Sequence, residues 1–180
     1  MARAGAEQTA RLPAGAPRPE GQGPHAERMV QGGQNVLPQI EALAEAGVPV
    51  IGHLGLTPQS VNLLGGYRVQ GRGESGQRLL QDAKALESAG AAAVVLEVVP
   101  TDLAASVTEV LSIPTIGIGA GAATDAQVIV WQDLLGLTPD PAPRFVRRYA
   151  NLREVMTGAV SAWVNDVETR NYPAEEHTYA

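Results

Sequence analysis

The sequence contains no cysteine, few aromatic residues and no long hydrophobic run. Without cysteine, the chain can form neither a disulfide framework nor a thiolate metal site. Aromatic residues make up 4% of the chain, which argues against a surface that stacks nucleic-acid bases on aromatic rings. The longest apolar runs, such as the one from Ala89 to Val95, are far shorter than the ~20 residues of a membrane-spanning helix. We therefore expect neither a disulfide scaffold nor a membrane protein.

Positive charge is also scarce. The chain has 13 Lys and Arg against 19 Asp and Glu, for a net charge of -6. Nucleic-acid binding needs a clustered positive surface, so nucleic acid is not an expected partner. Arg3, Arg11 and Arg18 near the start are not followed by the apolar segment of a secretory signal. These features predict a soluble, cytoplasmic protein.

Residues 1–33 differ from the rest of the chain. They are rich in Ala, Gly, Pro, Arg and Gln and show neither helical nor strand periodicity. A segment of this composition buries too little apolar surface to offset its loss of conformational entropy. We predict that 1–33 is disordered or of separate origin and that 34–180 forms one domain.

From Gln34 onward, predicted helices alternate with predicted strands. Gly47 and Gly90 each end an apolar helical pattern, as left-handed caps do. Thr101 is predicted to N-cap a further helix. The predicted strands are 48–52, 91–96, 113–118 and 128–131, and two C-terminal helices at 143–151 and 154–169 precede an extended tail. The last helix is expected to face inward with Met156, Val160, Trp163, Val164 and Val167.

This alternation predicts an α/β fold with a parallel sheet and helices outside it. A complete (β/α)8 TIM barrel needs about 250 residues, and this chain has 180. We therefore predict a partial TIM barrel of about the last four β/α units. Functional groups of such folds gather at the carboxyl ends of the strands, where the sequence places His53, Glu97 and Asp133.

Glu97 and His53 are the candidate site residues. Glu97 ends an apolar strand, and apolar surroundings disfavour the ionised form of a carboxylate, which makes it a better general base. Alternatively, Glu97 caps the following helix or pairs with an arginine. His53 could orient a substrate, exchange protons or bind a metal, or be a hydrogen-bonded structural histidine. No second His or carboxylate lies near His53 at a metal-ligand spacing, so no metal ligand is predicted.

Two glycine-rich segments have open interpretations. Gly117–Gly121 lacks the full dinucleotide-binding pattern, which favours a tight turn that allows close backbone approach. Gly65–Gly73 contains Arg68 and Arg72 and is either a lid over an anionic substrate or a solvated loop.

Four stretches resemble the ketopantoate hydroxymethyltransferase family. They are Gly52–Val61 continued by Gly65–Arg72, Val95–Pro100, Ile113–Gly121 and Tyr172–Tyr179. The resemblance runs in order from about Gly32 to Ala180.

The resemblance implies a (β/α)8 barrel enzyme, usually a homo-oligomer, that takes part in pantothenate synthesis. Its substrates would be 3-methyl-2-oxobutanoate and 5,10-methylenetetrahydrofolate, with Mg²⁺ as the metal. Glu97 aligns with the catalytic base, which removes the C3 proton of the keto acid. His53 aligns with a substrate-pocket histidine.

The chain also departs from the family pattern. No segment matches the two aspartates that bind the metal. Met29 and Gln31 stand where the family has a substrate lysine and a metal-side glutamate, and Gln is a weaker, uncharged ligand. The chain could therefore be impaired in catalysis. The alternatives are an inactive fragment, an oligomer-interaction module of the same family, or an unrelated small-ligand binder built on Gly117–Gly121.

Overall fold

A parallel sheet forms the centre of the molecule in the computed structural model, which describes residues 27–57 and 68–179. The sheet has five strands in the order β1-β2-β3-β4-β5, and every neighbouring pair is parallel. The strands are β1 (Arg28–Gln31), β2 (Val50–Gly55), β3 (Ala93–Glu97), β4 (Thr115–Ile118) and β5 (Ala126–Gln127). The predicted α/β class with a parallel sheet is confirmed.

Helices connect the strands and follow them. They are α1 (Leu37–Glu45), α2 (Glu74–Ser88), α3 (Thr101–Val110), α4 (Trp131–Leu134) and α5 (Leu152–Glu168). Short 3-10 turns occur at Gln34–Val36 and Glu175–His177. Gly47 and Gly90 adopt positive φ after α1 and α2, as predicted for helix-ending glycines. No helix in the described ranges is long and apolar enough to cross a membrane.

The hydrophobic core lies between one face of the sheet and the helices. Side chains alternate between the two faces of a strand. In β2 and β3, one row belongs to this core: Val50, Leu54, Val94 and Leu96. The helices add Ile40, Leu79, Leu86 and Val107. The opposite face of the same strands carries His53, Val95 and Glu97.

The structure corrects the N-terminal boundary. Residues 28–31 lie within the segment predicted to be disordered, yet they form β1 and pair with β2 from Arg28–Val50 to Gln31–His53. The short sequence has no apolar run of its own, and its order comes from pairing with β2. Residues 1–26 lie outside the described residues.

The predicted strand at 128–131 is also wrong. Pairing with β4 ends early, with Val128 N–H donating to the Gly117 carbonyl at 2.9 Å. The chain then enters α4 at Trp131. The apolar side chains that suggested a buried strand lie at the exposed edge of the sheet instead.

The predicted helix at 143–151 is absent. Val146 N–H donates to the Pro143 carbonyl in a single turn, but Tyr149 N–H donates to the Leu134 carbonyl of α4. Just beyond the segment, Leu152 N–H donates to the Leu135 carbonyl. Thr101 is the first residue of α3 rather than its N-cap, because Pro100 occupies the cap position without a side-chain bond. The C-terminal tail, predicted to be extended, contains bends and the 3-10 turn, and its Tyr172 and His177 rings lie 5.2 Å apart.

The last helix exists, but its predicted inward face is wrong. All five apolar residues expected to be buried on α5 are exposed: Met156, Val160, Trp163, Val164 and Val167. The helical spacing places these five side chains on one face of α5, but no described element of this chain covers that face.

Candidate active site

Glu97 lines the largest of the described cavities. It is the last residue of β3, at the carboxyl edge of the sheet. The cavity measures about 1120 Å³ and lies over this edge, where parallel α/β folds place their sites. Its wall includes Ile118 and Gly119 from the end of β4, together with Asp133 from α4. Of the three residues that the sequence placed at this edge, Glu97 and Asp133 line the cavity, whereas His53 does not.

His53 contacts Glu97 but does not line the cavity. It lies within β2, rather than after it as predicted, and its Nε2 is 3.0 Å from Glu97 Oε2. The side chains are 5% and 15% exposed, respectively. The approach is close, but it lacks the alignment of a regular hydrogen bond, and His53 Nδ1 has no described partner. The histidine therefore reaches the cavity only through the carboxylate.

The glycine at the end of β2 sets the position of Glu97. Gly55 has φ +95 and pairs in register with Glu97. The next N–H, of Leu56, donates to the Glu97 carbonyl at 2.8 Å. A Cβ on Gly55 would overlap that carbonyl oxygen. Glycine is thus required both by the backbone conformation and by the contact between the two strands.

The residue after Glu97 has an unusual backbone conformation. Val98 has φ +50, a left-handed conformation that is costly for a β-branched residue. Its N–H donates to the Ile118 carbonyl at 2.9 Å, and its carbonyl accepts from Gln70 N–H at 3.0 Å. These two bonds hold the turn that follows the candidate base.

The glycine turn after β4 allows close packing within the chain. Gly119 and Gly121 both have positive φ. A Cβ on Gly119 would meet the Phe145 ring at 2.8 Å, and one on Gly121 would meet the Thr101 side chain at 2.5 Å. This supports the tight-turn interpretation of Gly117–Gly121 over dinucleotide binding.

The arginine-containing loop reaches the same cavity. Val69 and Arg72 line it, whereas Arg68 is exposed and absent from the lining. Residues 65–67, the start of the predicted lid, lie outside the described residues.

The sequence analysis missed the segment from Thr138 to Phe145 as a cavity wall. Arg144 and Phe145 both line the cavity. The available signal was that Phe145 is the single phenylalanine of the chain. The sequence analysis assigned residues 143–151 to a helix and therefore did not place this segment beside the site.

The described residues do not fit a magnesium site. Within 27–57 and 68–179, no group of three or more His, Cys, Asp or Glu side chains is arranged to hold a metal ion. Gln31, which pairs in register with His53, has a buried Oε1 without a hydrogen-bond partner. One neutral amide oxygen beside an imidazole is not the set of carboxylate oxygens that Mg²⁺ prefers.

Comparisons with known proteins agree on one family. The profile of the ketopantoate hydroxymethyltransferase family matches residues 23–175. A 3-methyl-2-oxobutanoate hydroxymethyltransferase of Frankia alni is 61% identical over 150 residues, which cover 83% of this chain and 50% of the relative. Proteins of the same name from Streptomyces avermitilis and Trichlorobacter lovleyi are 60% and 52% identical, with 52% and 57% of their lengths covered. The chain thus spans about half the length of these curated relatives.

Proposed function

Because the chain belongs to the ketopantoate hydroxymethyltransferase family, we propose that it acts in hydroxymethyl transfer from 5,10-methylenetetrahydrofolate to 3-methyl-2-oxobutanoate. The product would be ketopantoate, on the route to pantothenate. The observation that carries the proposal is the position of Glu97, which lines the cavity and lies close to His53. A cytoplasmic location goes with the proposal, since both substrates are small intracellular metabolites.

Glu97 would act as the general base. A carboxylate oxygen takes the C3 proton of the keto acid, and the electrons of the C–H bond form the enolate. The enolate carbon then attacks the methylene carbon of the folate. Both bonds from that carbon to the folate nitrogens break, and water supplies the hydroxyl oxygen of the product. The two nitrogens take up the proton that Glu97 removed and the remaining proton of the water. The mostly apolar wall around Glu97, including Ile118 and Val99, limits competing contact of the base with bulk water.

His53 has two possible roles in this scheme. Its contact with Glu97 favours a positioning role, in which the imidazole fixes the direction of the carboxylate. Direct binding of the keto acid, which the family resemblance implies, remains the second possibility. The His53→Gln variant separates them, because loss of positioning lowers kcat at constant KM, whereas loss of substrate contact raises the KM for the keto acid.

No step of this scheme is derived through Mg²⁺. The resemblance implies this metal, but the described residues near Glu97 lack its ligand set. Any carboxylates that bind it would have to come from outside the described ranges or from another chain.

The proposal is tested with the Glu97→Gln variant. Exchange of the C3 proton of 3-methyl-2-oxobutanoate in D2O is followed by NMR without folate, and product formation is followed with folate and Mg²⁺. We expect both rates to fall by about 10²-fold or more, the usual contribution of a general base. Glu41→Gln is the matched control, since Glu41 is exposed on α1, away from the cavity. Turnover that is robust and unaffected by Glu97→Gln would exclude the assigned base.

A second candidate is a non-catalytic family module that associates with another chain. Two observations favour it: Met29, on the sheet face that carries His53, is 54% exposed, and the chain spans about half the length of its relatives. Mixing this chain with the N-terminal half of the Frankia alni relative tests the idea. A stable complex that gains activity would identify a complementing module, whereas an active chain without the added half would contradict it.

We also propose that the chain self-associates through α5. The helix presents the α5 stripe, defined as Met156, Val160, Trp163, Val164 and Val167. These positions recur at intervals of three and four residues, the spacing of a helix–helix seam. Contiguous apolar surface of this kind is typical of an interaction site.

A further inference from the structure

The cavity beside Glu97 is larger than a small keto acid requires. Pockets for drug-sized ligands measure ~300–1,000 Å³, and this one measures about 1120 Å³. Most of its volume must therefore serve another molecule or remain filled with water. In the proposed reaction, that molecule is the one-carbon donor, which has to deliver its methylene carbon close to Glu97.

Phe145 offers a flat surface in this cavity. The ring packs against Gly119, where a Cβ would come within 2.8 Å of Cδ1 and 2.9 Å of Cγ. The residue is nevertheless 37% exposed, and it lines the cavity. One part of the ring is thus fixed by the protein while another part remains open to a ligand. Such a ring is suited to stack on an aromatic group.

Two arginines border the same space. Arg72 comes from the loop before α2, and Arg144 precedes Phe145. In the described part of the chain, neither arginine forms a salt bridge, in contrast to Arg148, whose Nη2 lies 3.0 Å from Asp140 Oδ1. Asp133 and Asp140 also line the cavity, so its charge is mixed. A guanidinium without a protein carboxylate favours a ligand carboxylate, which it can bind with two parallel hydrogen bonds.

We propose that Phe145, Arg72 and Arg144 form the subsite for the aryl-glutamate part of the folate. The aryl ring stacks on Phe145, and the glutamate carboxylates pair with the two arginines. This arrangement leaves the pterin and its methylene carbon on the Glu97 side of the cavity. The inference rests on the proposed function, because that function supplies the ligand class.

Binding of tetrahydrofolate to the full chain tests the subsite directly. Calorimetry compares the unsubstituted chain with Phe145→Leu, which keeps an apolar side chain but removes the ring. We expect the Kd to rise about tenfold, in line with the loss of one stacking contact. Arg147→Met is the matched control, because Arg147 stacks over Tyr149 at 5.0 Å and does not line the cavity.

The arginines are tested with tetrahydropteroate, which lacks the glutamate and its two carboxylates. Tetrahydrofolate is expected to bind more tightly than tetrahydropteroate, and Arg72→Met and Arg144→Met are each expected to reduce this difference. Equal affinity for the two ligands in the unsubstituted chain, or a Kd unchanged by Phe145→Leu, overturns the subsite.

The two proposals fail in different ways. Folate-free proton exchange by the unsubstituted chain reports on Glu97, whereas tetrahydrofolate binding reports on the subsite. Exchange without folate binding overturns the subsite and leaves the base in place. Folate binding that depends on Phe145, without any exchange, supports the subsite and contradicts the role of Glu97.

Discussion

Gly55 and Glu97 lie on adjacent strands with no room for a side chain between them. A Cβ on Gly55 would overlap the carbonyl oxygen of Glu97, and φ at Gly55 is +95. The same carbonyl accepts a hydrogen bond from Leu56 N–H at 2.8 Å. The position of the proposed base along β3 is therefore determined by the absence of a side chain on β2.

The Gly55→Ala substitution is expected to destabilise the fold and to displace Glu97. The positive φ costs ~1–2 kcal/mol for a residue with a Cβ, and the overlap adds ~1–3 kcal/mol. Urea denaturation measures the sum. Gly47→Ala is the control, because Gly47 has a similar φ of +75 but open space around its Cβ. Equal losses of stability in the two variants would show that the contact with Glu97 does not matter.

Val98 and Val99 should respond in opposite ways to the same substitution. Val98→Asn places a residue that tolerates the left-handed region at φ +50, and we expect no loss of stability or a gain of up to ~1 kcal/mol. Val99 is buried in the core, so Val99→Asn should cost ~1–3 kcal/mol because it buries an amide. Thermal and urea unfolding of both variants provide the comparison. A larger loss in Val98→Asn than in Val99→Asn is the outcome that contradicts the assigned strain.

Thr115 stabilises the start of β4 through its hydroxyl group. The residue is fully buried, and its Oγ1 lies 2.8 Å from Thr108 Oγ1 and 3.1 Å from Asp125 Oδ2. Oγ1 also accepts a hydrogen bond from Asp125 N–H at 3.3 Å. Thr115→Val keeps the shape and removes all three bonds, so a loss of ~1–3 kcal/mol is expected in the free energy of unfolding. The same substitution at Thr157, exposed on α5, should change stability by less than ~0.5 kcal/mol. Similar effects at the two sites would argue against a structural role of the hydroxyl.

Self-association through α5 should depend on Trp163. This side chain is 53% exposed, and Trp163→Glu introduces a charge into the centre of the α5 stripe. Size-exclusion chromatography with light scattering is expected to show an oligomer for the unsubstituted chain and a smaller species for the variant. Ser161→Glu, on another side of the same helix, serves as the control and should leave the assembly intact. A monomeric unsubstituted chain would refute the proposal outright.

The sequence predicted most closely those elements whose burial follows from a local apolar pattern. The apolar runs of β2 and β3 and the helix-ending glycines Gly47 and Gly90 predicted these units to within a few residues. The family profile and the observed sheet confirm the class of fold. Placement of Glu97 at the end of β3 followed from the same reasoning.

Other elements could not be predicted because their environment is not local. Arg28–Gln31 becomes a strand through pairing with β2. These four residues mix polar and apolar side chains and carry no strand pattern of their own. The α5 stripe has the spacing of a buried face, but spacing does not specify whether the covering surface belongs to the same chain. Phe145 reaches the cavity because the segment after α4 folds back without helical structure, and a pattern of helical propensity points the other way.

Successive side chains of β3 lie on opposite faces of the sheet, so packing and the proposed chemistry depend on different residues. Leu96 belongs to the core on the helix side, whereas Glu97 belongs to the cavity and contacts His53. A substitution at Glu97 can remove the proposed base without touching the packing that Leu96 maintains. A chain can thus lose the proposed base and still retain the folded sheet, so the fold by itself is no guarantee of turnover.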